Sequence, residues 1–139
     1  MLAPACPSST KSKYRLLYLG NDMRLIASLR QVLTEPDYLL VACSDREGAR
    51  LFLRSEIPYD LLLIDLEWRG TGGLKLARLA HSLRHRKRMP IILVVSTELN
   101  VSVQRSARKA GVKEWVTKTP DMCAVSEAIR QLVESGPQN

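Results

Sequence analysis

The chain has 139 residues, 45% of them hydrophobic, and its 21 lysine and arginine residues outnumber its 14 acids to give a formal net charge of +7. This length suits one globular domain, and no apolar run reaches the roughly 18 residues of a membrane-spanning helix, so we expect no contact with a membrane. The three cysteines are scattered without a zinc or disulfide spacing, which favours a reducing, cytoplasmic location.

Hydrophobic patterning predicts five strands, each followed by a helix. Short aliphatic runs indicate buried strands, and apolar residues at helical spacing indicate amphipathic helices. In chain order we expect a strand at Arg15–Leu19, a helix at Asp22–Leu33, a strand at Tyr38–Cys43, a helix from Ser44 or Asp45 to about Arg54, a strand at Asp60–Asp65, a helix from the Gly70–Gly73 loop to near Arg84, a strand opened by Pro90 and ending at Ser96, a helix at Leu99–Ala110, a strand at Val112–Thr117 and a helix from Pro120 or Asp121 to about Val133. Aliphatic strands joined by helical crossovers predict a doubly wound α/β domain with a parallel sheet.

We expect this domain to occupy residues 13–134, between a disordered N-terminal tail at residues 1–12 and a polar C-terminal tail at residues 135–139. The basic surplus is densest in HSLRHRKRM, residues 81–89, which we interpret as a helix end whose cations complement the helix dipole, followed by a solvated loop. Few aromatic residues and no nucleic-acid-binding motif accompany these cations. Nucleic-acid binding therefore stays a hypothesis that rests on the +7 charge alone.

Polar residues follow several of the predicted strands. The sequence Gly20-Asn21-Asp22 ends the first strand, Asp65 the third, Ser96-Thr97 the fourth and Thr117-Lys118 the fifth. In an open α/β sheet, ligands bind beyond the carboxyl ends of the strands. We therefore expect two carboxylates, a hydroxyl and an ammonium to converge at one edge, with Asp65 at the bottom of a shallow polar site.

These side chains favour phosphoryl transfer onto a carboxylate. The dinucleotide-binding GxGxxG motif, the Walker loop and a nucleophilic triad are all absent from the sequence. An aspartate can attack phosphorus when a divalent cation and an ammonium neutralise the incoming charge and a hydroxyl binds the phosphate. Asp65, Lys118 and Ser96 have these identities.

The chain resembles the receiver domains of two-component response regulators, which have the CheY-like or flavodoxin-like fold with strand order 2-1-3-4-5. The resemblance spans about residues 13–133 and rests on DLLLID, PIILVVS and KAGVKEWVTK. It implies that Asp65 is the phosphoacceptor, Ser96 the switch hydroxyl, Trp115 the switch aromatic and Lys118 the phosphate-pairing cation. Two of these roles have an alternative. Thr97 is a second candidate for the switch hydroxyl, and Trp115 is also explained as a large half-buried side chain on an edge strand.

The resemblance also implies a Mg²⁺ site, with Asp22, Asp65 and the backbone carbonyl of Glu67 as ligands. Receiver domains usually carry two adjacent acids after the first strand, and this chain has Gly20 and Asn21 there, with Asp22 one position later. Because Mg²⁺ prefers near-octahedral oxygen ligands, the missing carboxylates predict a site that is weakened or lost. Asp22 is also a good N-cap for the first helix.

Two functions follow, and the residues leave both open. In the first, a histidine kinase or phosphotransfer protein phosphorylates Asp65, and the altered face around Ser96 and Trp115 signals to an effector protein. Such a domain is a phosphoacceptor rather than an enzyme, with at most self-catalysed phosphoryl transfer and autodephosphorylation. In the alternative, the chain is a pseudo-receiver that binds proteins without phosphorylation. The sequence contains no output domain after the last predicted helix, so we expect the output to come either from a partner protein or from an output domain in a longer chain; a homodimer is also compatible.

Overall fold

The computed structural model describes residues 13–66, 72–120 and 123–134. Within these ranges the chain forms β1 (Tyr14–Leu19), α1 (Met23–Val32), β2 (Tyr38–Cys43), α2 (Arg46–Arg54), β3 (Leu61–Asp65), α3 (Gly72–Ser82), a 3-10 helix (Arg84–Arg86), β4 (Ile91–Val95), α4 (Val101–Lys109), β5 (Glu114–Thr117) and α5 (Cys123–Glu134). The predicted alternation of strands and helices is therefore confirmed. The two expected tails lie outside the described residues, and no described helix is long and apolar enough to cross a membrane.

The five strands form one parallel sheet in the order β2-β1-β3-β4-β5, as the resemblance implies. Every residue of β3 and β4 is buried, because helices cover both faces of the sheet. One core layer packs α2, α3 and α4 against the sheet, and the other packs α1 and α5 against its opposite face. Alternate residues of β1 enter the two layers, with Leu17 in the first and Tyr18 in the second.

Side-chain caps fix the beginnings of three helices. Asp22 accepts a hydrogen bond from the backbone N–H of the third helical residue of α1, and Asp45 and Asn100 do the same for α2 and α4. Asn100 explains why α4 begins at Val101 rather than at the predicted Leu99. The helix ends before Gly111, whose φ of +93° is the left-handed conformation predicted there.

The basic segment differs from the prediction in where the helix ends and in one buried residue. Because α3 ends at Ser82, the cations from Arg84 onward lie beyond it, in the 3-10 helix and the turn that follows. Arg84, Lys87 and Arg88 are exposed, as expected for a solvated loop, but the side chain of Arg86 is buried. Its guanidinium donates hydrogen bonds to the carbonyl oxygens of Phe52, Leu53 and Ser55 at distances of 3.0, 2.9 and 2.9 Å. Arg86 therefore stabilises the C-terminal end of α2, where the last carbonyl groups of a helix lack partners within the helix.

Candidate functional site

Asp65 and Lys118 lie at the carboxyl edge of the sheet. Asp65 is the last residue of β3 and is only 4% exposed. The next residue, Leu66, still pairs with β4, because its backbone N–H donates a hydrogen bond to the carbonyl of Val94. Lys118 directly follows β5, and its backbone N–H donates to the carbonyl of Val95 at 2.8 Å. Regular strand backbone therefore holds the Cα atoms of both residues in fixed positions.

The ammonium group of Lys118 joins two carboxylates. Its Nζ lies 2.7 Å from Oδ2 of Asp22 and 2.9 Å from Oδ2 of Asp65, and donates a hydrogen bond to each. Burial alone would lower the pKa of Lys118, but these two carboxylates raise it above its ordinary value. Lys118 is consequently held in its charged form between the two carboxyl groups.

Asp22 uses both carboxylate oxygens. Its Oδ1 accepts from the backbone N–H of Leu25 at 3.1 Å, which caps α1, and its Oδ2 accepts from Lys118. Burial would raise the pKa of Asp22, but the hydrogen bonds from Lys118 and Leu25 outweigh that effect and lower it. The two roles considered for Asp22, helix cap and site residue, are therefore combined in one side chain.

Tyr18 is a member of this site that the sequence analysis missed. The phenol ring is fully buried in β1, and its hydroxyl donates to Oδ2 of Asp65 at 3.1 Å. The phenol oxygen of Tyr18 itself accepts a hydrogen bond from the backbone N–H of Asp22 at 3.2 Å. Burial is the main cause that raises the pKa of the Tyr18 hydroxyl above its ordinary value, so the hydroxyl stays protonated and remains a donor.

Gly20 provides the space that the tyrosine occupies. A Cβ atom at this position would lie 2.5 Å from the hydroxyl oxygen of Tyr18 and 2.9 Å from the Cβ of Asp65, closer than real Cβ contacts allow. Tyr18 and Gly20 are two residues apart and so point to the same side of the chain. That pairing of a tyrosine with a glycine two positions later, directly after the buried Leu16 and Leu17, is the signal that could have identified Tyr18.

The remaining predicted residues lie around this cluster. Ser96 and Thr97 follow β4 at the same edge and are both exposed. Trp115 is half-buried on β5, where the guanidinium of Arg108 stands 5.1 Å from the centre of its ring. Glu67 lies outside the described residues. The structure thus brings Asp22, Asp65 and Lys118 into contact, whereas the switch roles of Ser96 and Trp115 stay predictions.

The described side chains do not fit a magnesium site. Among them, no group of three histidine, cysteine, aspartate or glutamate residues is placed to hold a metal ion. The two carboxylates that meet, Asp22 and Asp65, both give their Oδ2 atoms to the ammonium of Lys118. The position of the first missing acid, Gly20, is filled by the phenol of Tyr18. The ammonium therefore engages one oxygen of each carboxylate, and the phenol shares the oxygen of Asp65.

Comparison with known proteins identifies the fold. No protein-family model matches the sequence, and a search of curated proteins also finds no match. Among solved structures, the phosphorylated cyanobacterial phytochrome response regulator RcpA aligns with a TM-score of 0.77 at 16% identity, over 88% of this chain and 96% of that chain. The receiver domain of a Pseudomonas aeruginosa sensor histidine kinase, with magnesium coordinated in its active-site cleft, gives 0.71 at 16%, over 87% and 98%.

A third similar structure is the Thermotoga maritima response regulator TrrA in complex with Mg²⁺ and BeF, with a TM-score of 0.67 at 22% identity, over 86% of this chain and 99% of that chain. The three alignments cover nearly the whole of each protein compared. The chain therefore has the CheY-like fold of response regulator receiver domains, as the sequence predicts.

Proposed function

We propose that this chain is a signalling module of the receiver kind that binds other proteins without being phosphorylated. In this proposal the hydroxyl of Tyr18 engages Oδ2 of Asp65, positions 20 and 21 offer no acid to a divalent cation, and Asp65 does not act as an efficient phosphoacceptor. The fold is retained as a rigid support for a binding surface, since the sheet and both core layers are complete.

One observation carries the proposal, namely the hydroxyl of Tyr18 in the space above Gly20. Phosphoryl transfer to a carboxylate needs cations that neutralise the developing charge. Two acids at positions 20 and 21 would attract such a cation, but this chain has an uncharged Gly20 and Asn21. The phenol excludes a side chain at position 20 and donates to Oδ2 of Asp65 at 3.1 Å, so that this oxygen is already engaged.

A second candidate function, phosphorylation of Asp65, is favoured by one specific contact. Lys118 Nζ lies 2.9 Å from the Asp65 carboxylate, at the end of a fully buried strand. In that reaction a carboxylate oxygen would attack the phosphorus of a phosphohistidine on a kinase or phosphotransfer protein. The N–P bond would break, an acyl phosphate would form, and Lys118 would pair with its oxygens. Asp22 would have to exchange its ammonium partner for a divalent cation.

The experiment that tests the proposal is intact mass spectrometry after incubation with acetyl phosphate and Mg²⁺. A receiver domain that carries the acidic pair serves as the positive control for the reagent. We expect the natural chain to gain no phosphoryl group under conditions that modify the control. A Mg²⁺-dependent gain of one phosphoryl group, absent from an Asp65→Asn variant, would replace the proposal with the second candidate.

A restored variant makes the same experiment sharper. The triple substitution Tyr18→Val, Gly20→Asp and Asn21→Asp removes the phenol and supplies two carboxylates, and Asp65 must shift by a few tenths of an ångström because a Cβ at position 20 would lie 2.9 Å from its own Cβ. We expect this variant to take up one phosphoryl group only when Mg²⁺ is present, and to lose that capacity when Asp65→Asn is added. A folded triple variant that stays unmodified would contradict the role assigned to Tyr18 and Gly20.

A further inference from the structure

The positive charge of the chain is concentrated in one stretch of sequence. Positions 68–97 carry seven of the 21 cations and none of the 14 acids, so the other 14 cations are matched by 14 acids elsewhere. Six of the seven lie within the described residues: Lys75, Arg78, Arg84, Arg86, Lys87 and Arg88. The net charge of +7 therefore belongs to the region of α3 and the 3-10 helix rather than to the whole surface.

A row of arginines on α2 extends this basic region. Arg46, Arg50 and Arg54 are four residues apart and lie on one face of the helix, about 6 Å from one to the next along its axis. Together with Lys75 of α3 they line a cavity of about 200 Å³ between the two helices, which we call the basic groove. All four side chains belong to exposed residues.

The floor of the basic groove is apolar and rigid. It consists of Leu76, which is 2% exposed, and Leu79, which is half-buried and packs against the same core layer. One side of the groove is held in place by Arg86, whose three hydrogen bonds fix the C-terminal end of α2. The leucines and the helix end are therefore in place before a ligand arrives, whereas the exposed cations are ordered on binding.

Little negative charge neutralises the basic groove. Within the described residues its one ion pair joins Arg50 to Glu47 at 3.5 Å, and the two side chains are 51% and 80% exposed. An ion pair so open to water contributes little and exchanges easily. Arg46, Arg54 and Lys75 have no carboxylate partner in the part of the chain that the structure describes. Four cations above an apolar floor are thus available to an acidic ligand.

We propose that the basic groove binds an acidic amphipathic helix of a partner protein, an inference that rests on the proposed function as a protein-binding module. Carboxylates spaced four residues apart on such a helix would match the spacing of Arg46, Arg50 and Arg54. Its apolar side chains would pack on Leu79, the half-buried residue of the floor, as in helix-in-groove recognition. A nucleic-acid backbone would pair with the cations but leave Leu79 uncovered, and the groove lining includes no aromatic residue on which a base could stack.

The test uses the full chain and a fluorescein-labelled synthetic helix in which glutamates at four-residue spacing flank a row of leucines. Binding is measured by fluorescence anisotropy in the absence of any phosphate donor. The groove variant is Arg46→Glu with Arg54→Glu. The matched control is Arg105→Glu with Lys109→Glu, two exposed cations at the same spacing on α4, so that both variants change the net charge equally.

We expect the groove variant to bind the peptide at least about tenfold more weakly than the natural chain, and the control variant to differ from it by no more than about twofold. A peptide in which glutamine replaces each glutamate should lose binding similarly. Equal weakening in both variants would mean that only the overall charge acts and would overturn the proposal, as would no binding by the natural chain. Circular dichroism verifies folding, and Arg46→Gln with Arg54→Gln replaces a variant that fails to fold.

Two further measurements identify the class of ligand and distinguish failure of the groove proposal from failure of the proposed function. Tighter binding of a DNA duplex of equal charge, lost in the groove variant, would assign the basic groove to nucleic acid and overturn the proposal. Intact mass on the same samples reports phosphorylation independently. A chain that accepts a phosphoryl group yet binds the peptide through the groove would refute the proposed function and leave the groove assignment standing.

Discussion

The substitution Lys118→Met tests the two ion pairs of Lys118 with Asp22 and Asp65 most directly, because methionine keeps much of the lysine stem and removes the ammonium. Asp22 and Asp65 then face each other without a cation, and their side chains are only 22% and 5% exposed. Removing one partner of a buried ion pair costs about 3–5 kcal/mol. Because Asp22 keeps its backbone hydrogen bond and some contact with water, we expect a loss near the lower end, about 3 kcal/mol in the free energy of unfolding at pH 7.

The pH dependence of that loss provides the second half of the prediction. The pKa of Asp22 is lowered by folding, so its contribution is present above the ordinary value of 3.8 and is lost as the pH falls through the folded-state value. The pKa of Lys118 is raised, so its contribution is present below the ordinary value of 10.5 and is lost as the pH rises through the folded-state value. The variant should therefore differ most from the natural chain between these limits, and less at pH 3.

Urea denaturation at several pH values measures both effects, with the slope against urea concentration as a check that the unfolded states are comparable. Lys113→Met is the matched control, because Lys113 is an exposed lysine on the approach to β5, and it should change stability by no more than about 0.5 kcal/mol. A Lys118→Met variant as stable as this control at pH 7, or a difference that stays constant down to pH 3, would refute the role assigned to the ion pairs.

Three other substitutions test contacts outside the ion pairs. Gly20→Ala should destabilise the chain by about 1–3 kcal/mol through overpacking against Tyr18, and thermal unfolding should reveal a smaller loss when Tyr18→Val is present in both proteins compared. Arg86→Met should cost about 2 kcal/mol in urea denaturation, since three carbonyls at the end of α2 lose a charged donor and keep only their contacts with His85 and Ser55; an unchanged midpoint would contradict this. Gly111→Ala should lower the melting temperature, because it places a side chain at a φ of +93° and 2.6 Å from the ring of His81. A melting temperature equal to that of the natural chain would show that no strain arises.

The fold could be predicted because each local signal agrees with the final structure. Aliphatic runs form the buried strands, and the acid at position 45 begins α2 as its N-cap. The meeting of Asp65 and Lys118 follows from strand direction alone, since parallel strands end at one edge. These are properties of short segments, and helical crossovers restrict how such segments can be joined.

What the sequence did not predict depends on contacts between distant residues. Tyr18 was assigned to a buried strand, which is correct, but its hydroxyl lies 3.1 Å from a residue 47 positions away. Arg86 is one of four cations within five positions of the sequence, and no feature of the neighbouring sequence distinguishes it from the three that are exposed. Its burial depends on the end of α2 lying beside it, more than 30 positions earlier in the chain. In both cases the polar end of a side chain finds a partner that only the packed fold provides.

The position of each site residue in the sheet also determines how readily it can move. Tyr18 and Asp65 lie on β1 and β3, each paired on both sides, whereas Lys118 follows β5, an edge strand paired only with β4. Amide protons on interior strands exchange with solvent mainly through global unfolding, and those at an edge exchange through local opening. Of the three side chains, the ammonium is therefore carried by the part of the sheet with the fewest strand partners, whereas Tyr18 and Asp65 are carried by strands paired on both sides.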